Sequence, residues 1–267
     1  MKDRIFLFIH IPKTGGSTLQ GIINRQYRKE LLLNVQNDRK ASKLANMTDE
    51  ALEKIKVVKG HMAFGHHNDF PDPSKVTYIT MLRDPVKRII SNYYFILSRE
   101  EHPLNEAIVK DNLSLKDYVS SGVIANAENA QVRLLSNNIY VPHGECTREM
   151  LEQAKRNIDT SFAVAGINEM FDETVLLLQD EFRWKWPVYT RQNVTGHGVK
   201  PSDLDAETLA VVRKYNALDI ELYDYVKEQF QKRIEELGAP FQKRLKRYKW
   251  MNKQIEKAVK IKRKLFR

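Results

Sequence analysis

The sequence predicts an α/β fold of three layers, a central parallel sheet flanked by helices. Apolar or β-rich runs of strand length, IFLFIH at 5–10, VTYITML at 76–82 and FAVAGI at 162–167, alternate with segments of helical periodicity. The first run is continuously apolar, as a parallel strand buried on both faces must be. Two of the runs end in a charged or Gly-rich turn that opens directly into a helix, the strand–turn–helix unit of parallel sheets.

The elements follow in chain order. After strand 5–10, residues 17–28 predict a helix, with Leu19, Ile22 and Ile23 on one side and Ser17 as its cap or a first-turn residue. A helix over 48–55 with Thr48 as cap leads to a short strand, Ile55–Val58, and then to Gly60-His61. Strand 76–82 ends at Arg83-Asp84-Pro85. Pro85 suits a first helical turn, and Ile89, Ile90, Tyr93, Tyr94, Ile96 and Leu97 supply that helix's apolar residues. Further helices fit 104–110, 114–120, 127–136 and 147–157. Strand 162–167 precedes a helix over 170–181, residues 187–203 are loop-like, and a long helix over 205–237 ends at Gly238-Ala239-Pro240.

In 267 residues, 42% hydrophobic and 29% charged, there is enough apolar material for one large domain. One cysteine, Cys146, excludes an intramolecular disulfide, and the expected compartment is the cytoplasm. No apolar run has the length of a membrane span, and residues 5–11 predict a strand rather than a signal peptide. The net charge of +10 is unevenly spread. Residues 243–267 hold twelve Lys or Arg and one acid, whereas residues 1–242 hold 32 basic and 33 acidic residues. The expected division is therefore a body, 1–242, and a basic amphipathic helical tail, 243–267. The tail either packs loosely on the body or a second subunit, or binds an anionic membrane surface; no nucleic-acid partner is expected.

The chemistry concentrates at two turns. In HIPKTGGSTL, residues 10–19, the glycines let backbone N–H groups converge, and the helix start adds partial positive charge. Lys13 adds a full charge; Thr14, Ser17 and Thr18 add hydroxyl donors. Lys13 precedes Gly15 and Gly16, the reverse of the order G-x-x-x-x-G-K-[ST]. In LRDPVKRIISNYYF, residues 82–95, Arg83 stands at a strand's carboxyl end, where open α/β sheets bind ligands. Its fork suits a terminal phosphate, and Ser91 lies two helical turns further on.

These two motifs resemble the sulfotransferases that use 3′-phosphoadenosine 5′-phosphosulfate (PAPS). The resemblance is to the carbohydrate branch that includes the heparan sulfate 2-O- and 6-O-sulfotransferases and bacterial relatives. Three further segments are similar in order: ENAQVRLLSN (128–137), VAGINEMFDETVLLL (164–178) and NALDIELYDYV (216–226). The resemblance implies a P-loop-like fold, with Lys13, Thr14, Gly15, Gly16, Ser17 and Thr18 around the 5′-phosphosulfate and Arg83 and Ser91 at the 3′-phosphate. It also implies in-line sulfuryl transfer to a carbohydrate or other hydroxyl, with Lys13 on the leaving phosphate oxygen. No metal is expected.

A sugar hydroxyl needs a base, and histidine serves near neutrality. In KGHMAFGHH, residues 59–67, His61 follows a predicted strand. In the 2-O-sulfotransferases a His-Gly-His stands here; His61 matches its second histidine, the base, and Lys59 replaces the first. His61, His66, His67 and Asp69 together allow a metal reading, at a spacing without strong precedent. His10 is expected to pack against the loop. Lys59, Gln131 and Arg133 are candidate acceptor contacts, with a solvated helix face as the alternative for the last two. Trp184 and Trp186 line a sugar or adenine site or pack at the core or rim. Two other classes stay open: a nucleotide-dependent kinase on a related scaffold, against which the missing G-x-x-x-x-G-K-[ST] counts, and a non-catalytic anion- or membrane-binding protein.

Overall fold

Five parallel strands form one sheet in the order β2-β3-β1-β4-β5: β1 Ile5–Ile9, β2 Leu32–Val35, β3 Val57–Gly60, β4 Val76–Leu82 and β5 Phe162–Ile167. The computed structural model describes residues 4–37, 41–190 and 199–265. Its α-helices are α1 Gly16–Gln26, α2 Asp49–Lys54, α3 Pro85–Leu97, α4 Asn105–Lys110, α5 Leu115–Ser120, α6 Ala130–Leu135, α7 Arg148–Ser161, α8 Phe171–Phe182, α9 Ala206–Tyr215, α10 Ala217–Glu236 and α11 Gly238–Leu265. Consecutive residues of β1, Phe6 to Ile9, have no exposed surface, so both faces of the sheet are covered. On one face the Phe6 ring meets Tyr27, Phe182 and Trp184. This is the flanked parallel sheet that the alternation of elements predicts.

The chain leaves β1 toward β2 on one side and later crosses to β4 on the other. The gap between the carboxyl ends of β1 and β4 is therefore a topological switch point, where such sheets bind ligands. A second apolar cluster stands beside the sheet core. Ile89, Ile90, Tyr93 and Ile96 of α3 pack there with Ile108, Tyr118 and Val212 from α4, α5 and α9. α3 thus leads from the switch point into a helical layer of its own.

Four elements differ from expectation. β2 was not anticipated; its LLNV run is short, and only Val35 of its four residues is buried. β3 begins at Val57 and runs to Gly60, which carries the sheet up to His61. The helix expected over 205–237 is two helices. Between them the Asn216 amide donates to Ala127 O and to Val212 O, both at 3.1 Å, and accepts from Asn129 N at 3.2 Å. A side chain that competes with backbone pairing in this way favours a break. Of the expected loop 187–203, residues 191–198 lie outside the described residues, and Pro201–Asp203 is a 3₁₀ turn.

The expected boundary at 242/243 falls inside α11, and the first half of that helix does not pack loosely. Phe241, Leu245 and Tyr248 belong to the main core, and Tyr248 Oη donates to Pro187 O at 2.7 Å. Arg244 forks onto Asp180 at 2.7 and 2.5 Å, and Lys249 reaches Glu173 at 2.8 Å. Truncation after Gln242 should therefore destabilise the protein. Losing burial of Leu245 and Tyr248 alone costs about 3–6 kcal/mol, a fall in Tm on the order of 10 °C. Truncation after Gln254 should change Tm little. Equal melting of the two truncated chains would show that residues 243–254 contribute nothing to the core.

Candidate active site

The loop after β1 is shaped by two close approaches. Gly15 caps α1 at φ +86, and a Cβ there would overlap the Asn168 amide. That amide donates to Thr14 O at 2.9 Å and ties the loop to the residue after β5. A Cβ on Gly16 would overlap the His10 ring, so the helix start rests on that ring. Thr18 and Leu19 donate their N–H groups back to Gly15 O. The N–H groups of Gly16 and Ser17 come before any helical acceptor and open the helix toward an anion. Gly15 is the cap, and Ser17 stands within the first turn, one of the two places expected for it. The Thr14 hydroxyl, expected as an anion donor, is buried and gives its proton to Ile11 O at 2.8 Å.

Lys13 adopts φ +69, a conformation uncommon for a residue with a Cβ. Its Nζ lies 3.8 Å above the Phe95 ring, a cation–π contact. Phe95 and Ser91 are four residues apart on α3 and share a helix face; Arg99 covers the same ring at 4.7 Å. Arg83 donates from Nη1 to Lys13 O at 2.9 Å. Burial, with Arg83 and then Arg99 nearby, pushes the Lys13 ammonium down to about 8. Burial also lowers the Arg83 guanidinium, against the opposing pull of Glu169 and Asp84. The Arg83 Nε is buried with no hydrogen-bond partner among the described residues. Gathered cations and an orphaned donor fit a multiply charged anion.

Gln131 proves to be a positioning residue rather than an acceptor contact. Its side chain is buried and grips the Arg83 backbone twice, accepting from Arg83 N at 3.0 Å and donating to Arg83 O at 3.1 Å. The start of α6 is in turn held by the fully buried Asp219, whose carboxylate accepts from Gln131 N at 3.1 Å and Val132 N at 2.8 Å. Asp219 also faces the fully buried Arg88 at 3.8 Å. Arg133 is likewise no acceptor contact: its guanidinium is buried and shared among Glu128, Val141 O and Pro142 O. Lys59 is buried with its ammonium on Asn34 Oδ1. For these three, backbone, carboxylate and side-chain amide partners within the fold take up the polar groups that would have met a ligand.

His61 extends from the end of β3 and is exposed. Its Nδ1 lies 2.7 Å from His10 O; a carbonyl only accepts, so Nδ1 carries the proton and Nε2 keeps a lone pair. Its ring stacks on His10 at 4.5 Å. Burial by the surrounding protein lowers the His61 pKa, although solvent still reaches the ring, and the hydrogen bond to His10 O opposes the shift. His10 is buried beneath it and pushed down to about 3 by desolvation, then by His61 and Lys59. Its Nδ1 pairs with Gln20 Nε2 at 3.2 Å, so it packs against the loop as expected.

The metal reading does not assemble. His66 pairs with Asp69 at 2.8 Å, while His67 Nδ1 meets Tyr78 Oη at 2.9 Å. Tyr78 lies opposite Leu7, four residues back along β4 from Leu82, roughly 13 Å from the carboxyl edge at a strand's rise. No group of three or more metal-ligating side chains occurs among the described residues. Trp184 is core, donating to Tyr27 Oη at 3.3 Å, whereas Trp186 is exposed. Sequence reasoning gave no site role to Asn168, Phe95 or Asp219. Asn168 and Asp219 lie in the two C-terminal segments already similar in order, and position directly after a strand was the signal available for Asn168.

The switch point of the parallel sheet gathers a helix N-terminus, two cations and an accessible imidazole, an arrangement suited to an anionic ligand. The model of the galactose-3-O-sulfotransferase family matches residues 2–259, and this chain belongs to that family. Human heparan-sulfate 6-O-sulfotransferase 1 is 24% identical over 280 residues, 87% of this chain and 67% of that protein. Heparan sulfate 2-O-sulfotransferase 1 of Xenopus laevis is 27% identical over 189 residues, 64% of this chain and 52% of that protein. The mouse sulfotransferase SULT7A1, solved in complex with PAP, aligns over 87% of this chain and 90% of its own at 13% identity, with a TM-score of 0.32.

Replacing Asp219 by Ala should destabilise the protein by about 3–5 kcal/mol, because Arg88 is left as an uncompensated buried charge. Urea unfolding measures this, and a loss under 1 kcal/mol would remove Asp219 from the centre of the network.

Proposed function

We propose that this chain transfers a sulfuryl group from PAPS to a hydroxyl of a carbohydrate, in line, with His61 as general base. The observation that carries this reading is the fixed His61 tautomer, Nδ1–H on His10 O and Nε2 open, at the same sheet edge as the anion loop. PAPS supplies the activated sulfuryl group. The N–H groups of Gly15, Gly16 and Ser17 are suited to its 5′-phosphosulfate. Arg83, with Ser91 on the neighbouring helix face, is suited to its 3′-phosphate. His61 Nε2 takes the acceptor's proton as oxygen attacks sulfur. Lys13 moves its ammonium to the bridging oxygen, where charge grows as the S–O bond breaks. The relatives' names support a carbohydrate acceptor.

Thermal-shift measurements with 3′-phosphoadenosine 5′-phosphate (PAP), ATP and ADP test the donor. Saturating ligand stabilises by about 2.7 kcal/mol at a hundred times its Kd. Stabilisation by PAP alone is expected, and stabilisation by ATP alone would turn the reading to a kinase. In calorimetry, Arg83→Ala should weaken PAP binding by about 2–3 kcal/mol and AMP binding much less; equal losses would overturn the 3′-phosphate role.

His61→Ala should lower transfer about 10²–10⁴-fold and leave PAP affinity unchanged; normal turnover would end the assignment. The base works neutral, so the rate should rise with pH. Because burial lowers the His61 pKa, the midpoint should lie below the ordinary histidine value. Lys13 works as a cation and sits at about 8, so donor affinity should fall as pH rises through that value. A bound anion raises the lysine's pKa, and binding should then be accompanied by proton uptake near pH 8.

A further inference from the structure

The two sides of α11 differ completely. One side, Phe241, Leu245, Tyr248 and Asn252, is buried against the body. At 3.6 residues per turn, the opposite side is formed by Lys246, Arg247, Trp250, Lys253, Lys257 and Ile261, all exposed. Trp250 is 63% and Ile261 59% exposed, so two large apolar side chains stand among the lysines of this side. The helix has one acid, Glu256, and it lies toward the docked side. Because the docked side is anchored by Arg244–Asp180 and Lys249–Glu173, the cationic side is held outward.

We propose that this outward face of α11 binds the surface of an anionic lipid bilayer, lying flat upon it. Charge complementarity selects an anionic partner, since nearly all the chain's net charge sits in residues 243–267. Trp250 and Ile261 select a lipid surface over a soluble polyanion. A polysaccharide would meet the lysines and leave both apolar side chains in water. A bilayer interface takes the lysines at the headgroups and the indole below them. The helix lies on the surface rather than crossing it, because no helix of the described residues is long and apolar enough to span a membrane.

The test is co-sedimentation of the full chain with phosphatidylcholine vesicles containing none or 30% phosphatidylserine, alongside Trp emission. Binding should require phosphatidylserine, fade between 0.1 and 0.5 M salt, and shift Trp emission to the blue. The triple variant Lys246→Glu, Lys253→Glu, Lys257→Glu should lower partitioning by at least ~100-fold with PAP-induced thermal stabilisation unchanged. Trp250→Phe should keep binding and lose the blue shift, and Trp250→Ser should bind about tenfold more weakly. The proposal fails if the full chain ignores anionic vesicles at low salt, or if the triple variant binds them normally. It also fails if heparin binds the wild type and Trp250→Ser equally while vesicles do not, the polyanion outcome. Vesicle-independent dimerisation that the Trp250 variants abolish would make this face a contact between two copies instead.

Discussion

The buried carboxylate of Asp219 is the constraint from which the site is built. No water reaches it, so the charge must be satisfied by protein groups or withdrawn. Two N–H groups of α6 and the Arg88 guanidinium provide that satisfaction. Asn129 and Asn216 reinforce the same junction, each accepting from the other segment's backbone. With α6 held, the Gln131 amide meets the Arg83 backbone on both its polar groups. Arg83 then reaches Lys13 O, and the loop before α1 is set. Each step joins a residue distant in sequence to the next, so the anion site depends on a helix junction it never touches.

The resting site is electrostatically unfavourable by itself. Lys13, Arg83 and Arg99 repel one another, and burial of the first two weakens solvent screening. Phe95 relieves part of this by offering its ring face to Lys13 and Arg99. Glu169 relieves another part near Arg83, while itself fixed by Tyr223 and the Asp84 N–H. A bound anion would remove the remaining repulsion, and that difference is binding energy stored in the fold. The histidine pair follows the opposite logic. His10 and His61 are stacked, and desolvation drives both toward the neutral form, with Lys59 adding to the effect at His10. Burial, rather than the field of the nearby cations, is therefore what favours the neutral His61 imidazole.

Much of this was legible in the sequence because strand ends carry the chemistry. β1, β4 and β5 announce themselves by apolar or β-rich runs, and the residues that follow them, Lys13 and Arg83, carry charges that no core needs. His61 could be read the same way. Gln131 and Arg133 could not be separated from solvent-facing residues, because periodicity does not reveal that partners 48 residues away, or an 8-residue return of the chain, consume their polar groups. Lys59 was misread because a lysine in a strand looks like a ligand group until Asn34 of the unanticipated β2 is placed beside it. The tail was misread for a related reason: its lysines dominate composition, and the sparse Phe241, Leu245 and Tyr248 that dock it do not.

Two groups of cations then coexist in one chain and respond differently to their surroundings. The site's cations are few, half-buried and held by backbone carbonyls and a ring, so mobile ions screen them little. The outward charges of α11 are many, flexible and fully in solvent, so salt weakens them directly. The net positive charge lies almost wholly within residues 243–267 of the sequence, while residues 1–242 are nearly neutral. Net charge thus describes residues 243–267, whereas the cations at the switch point are few and draw their effect from burial and fixed direction.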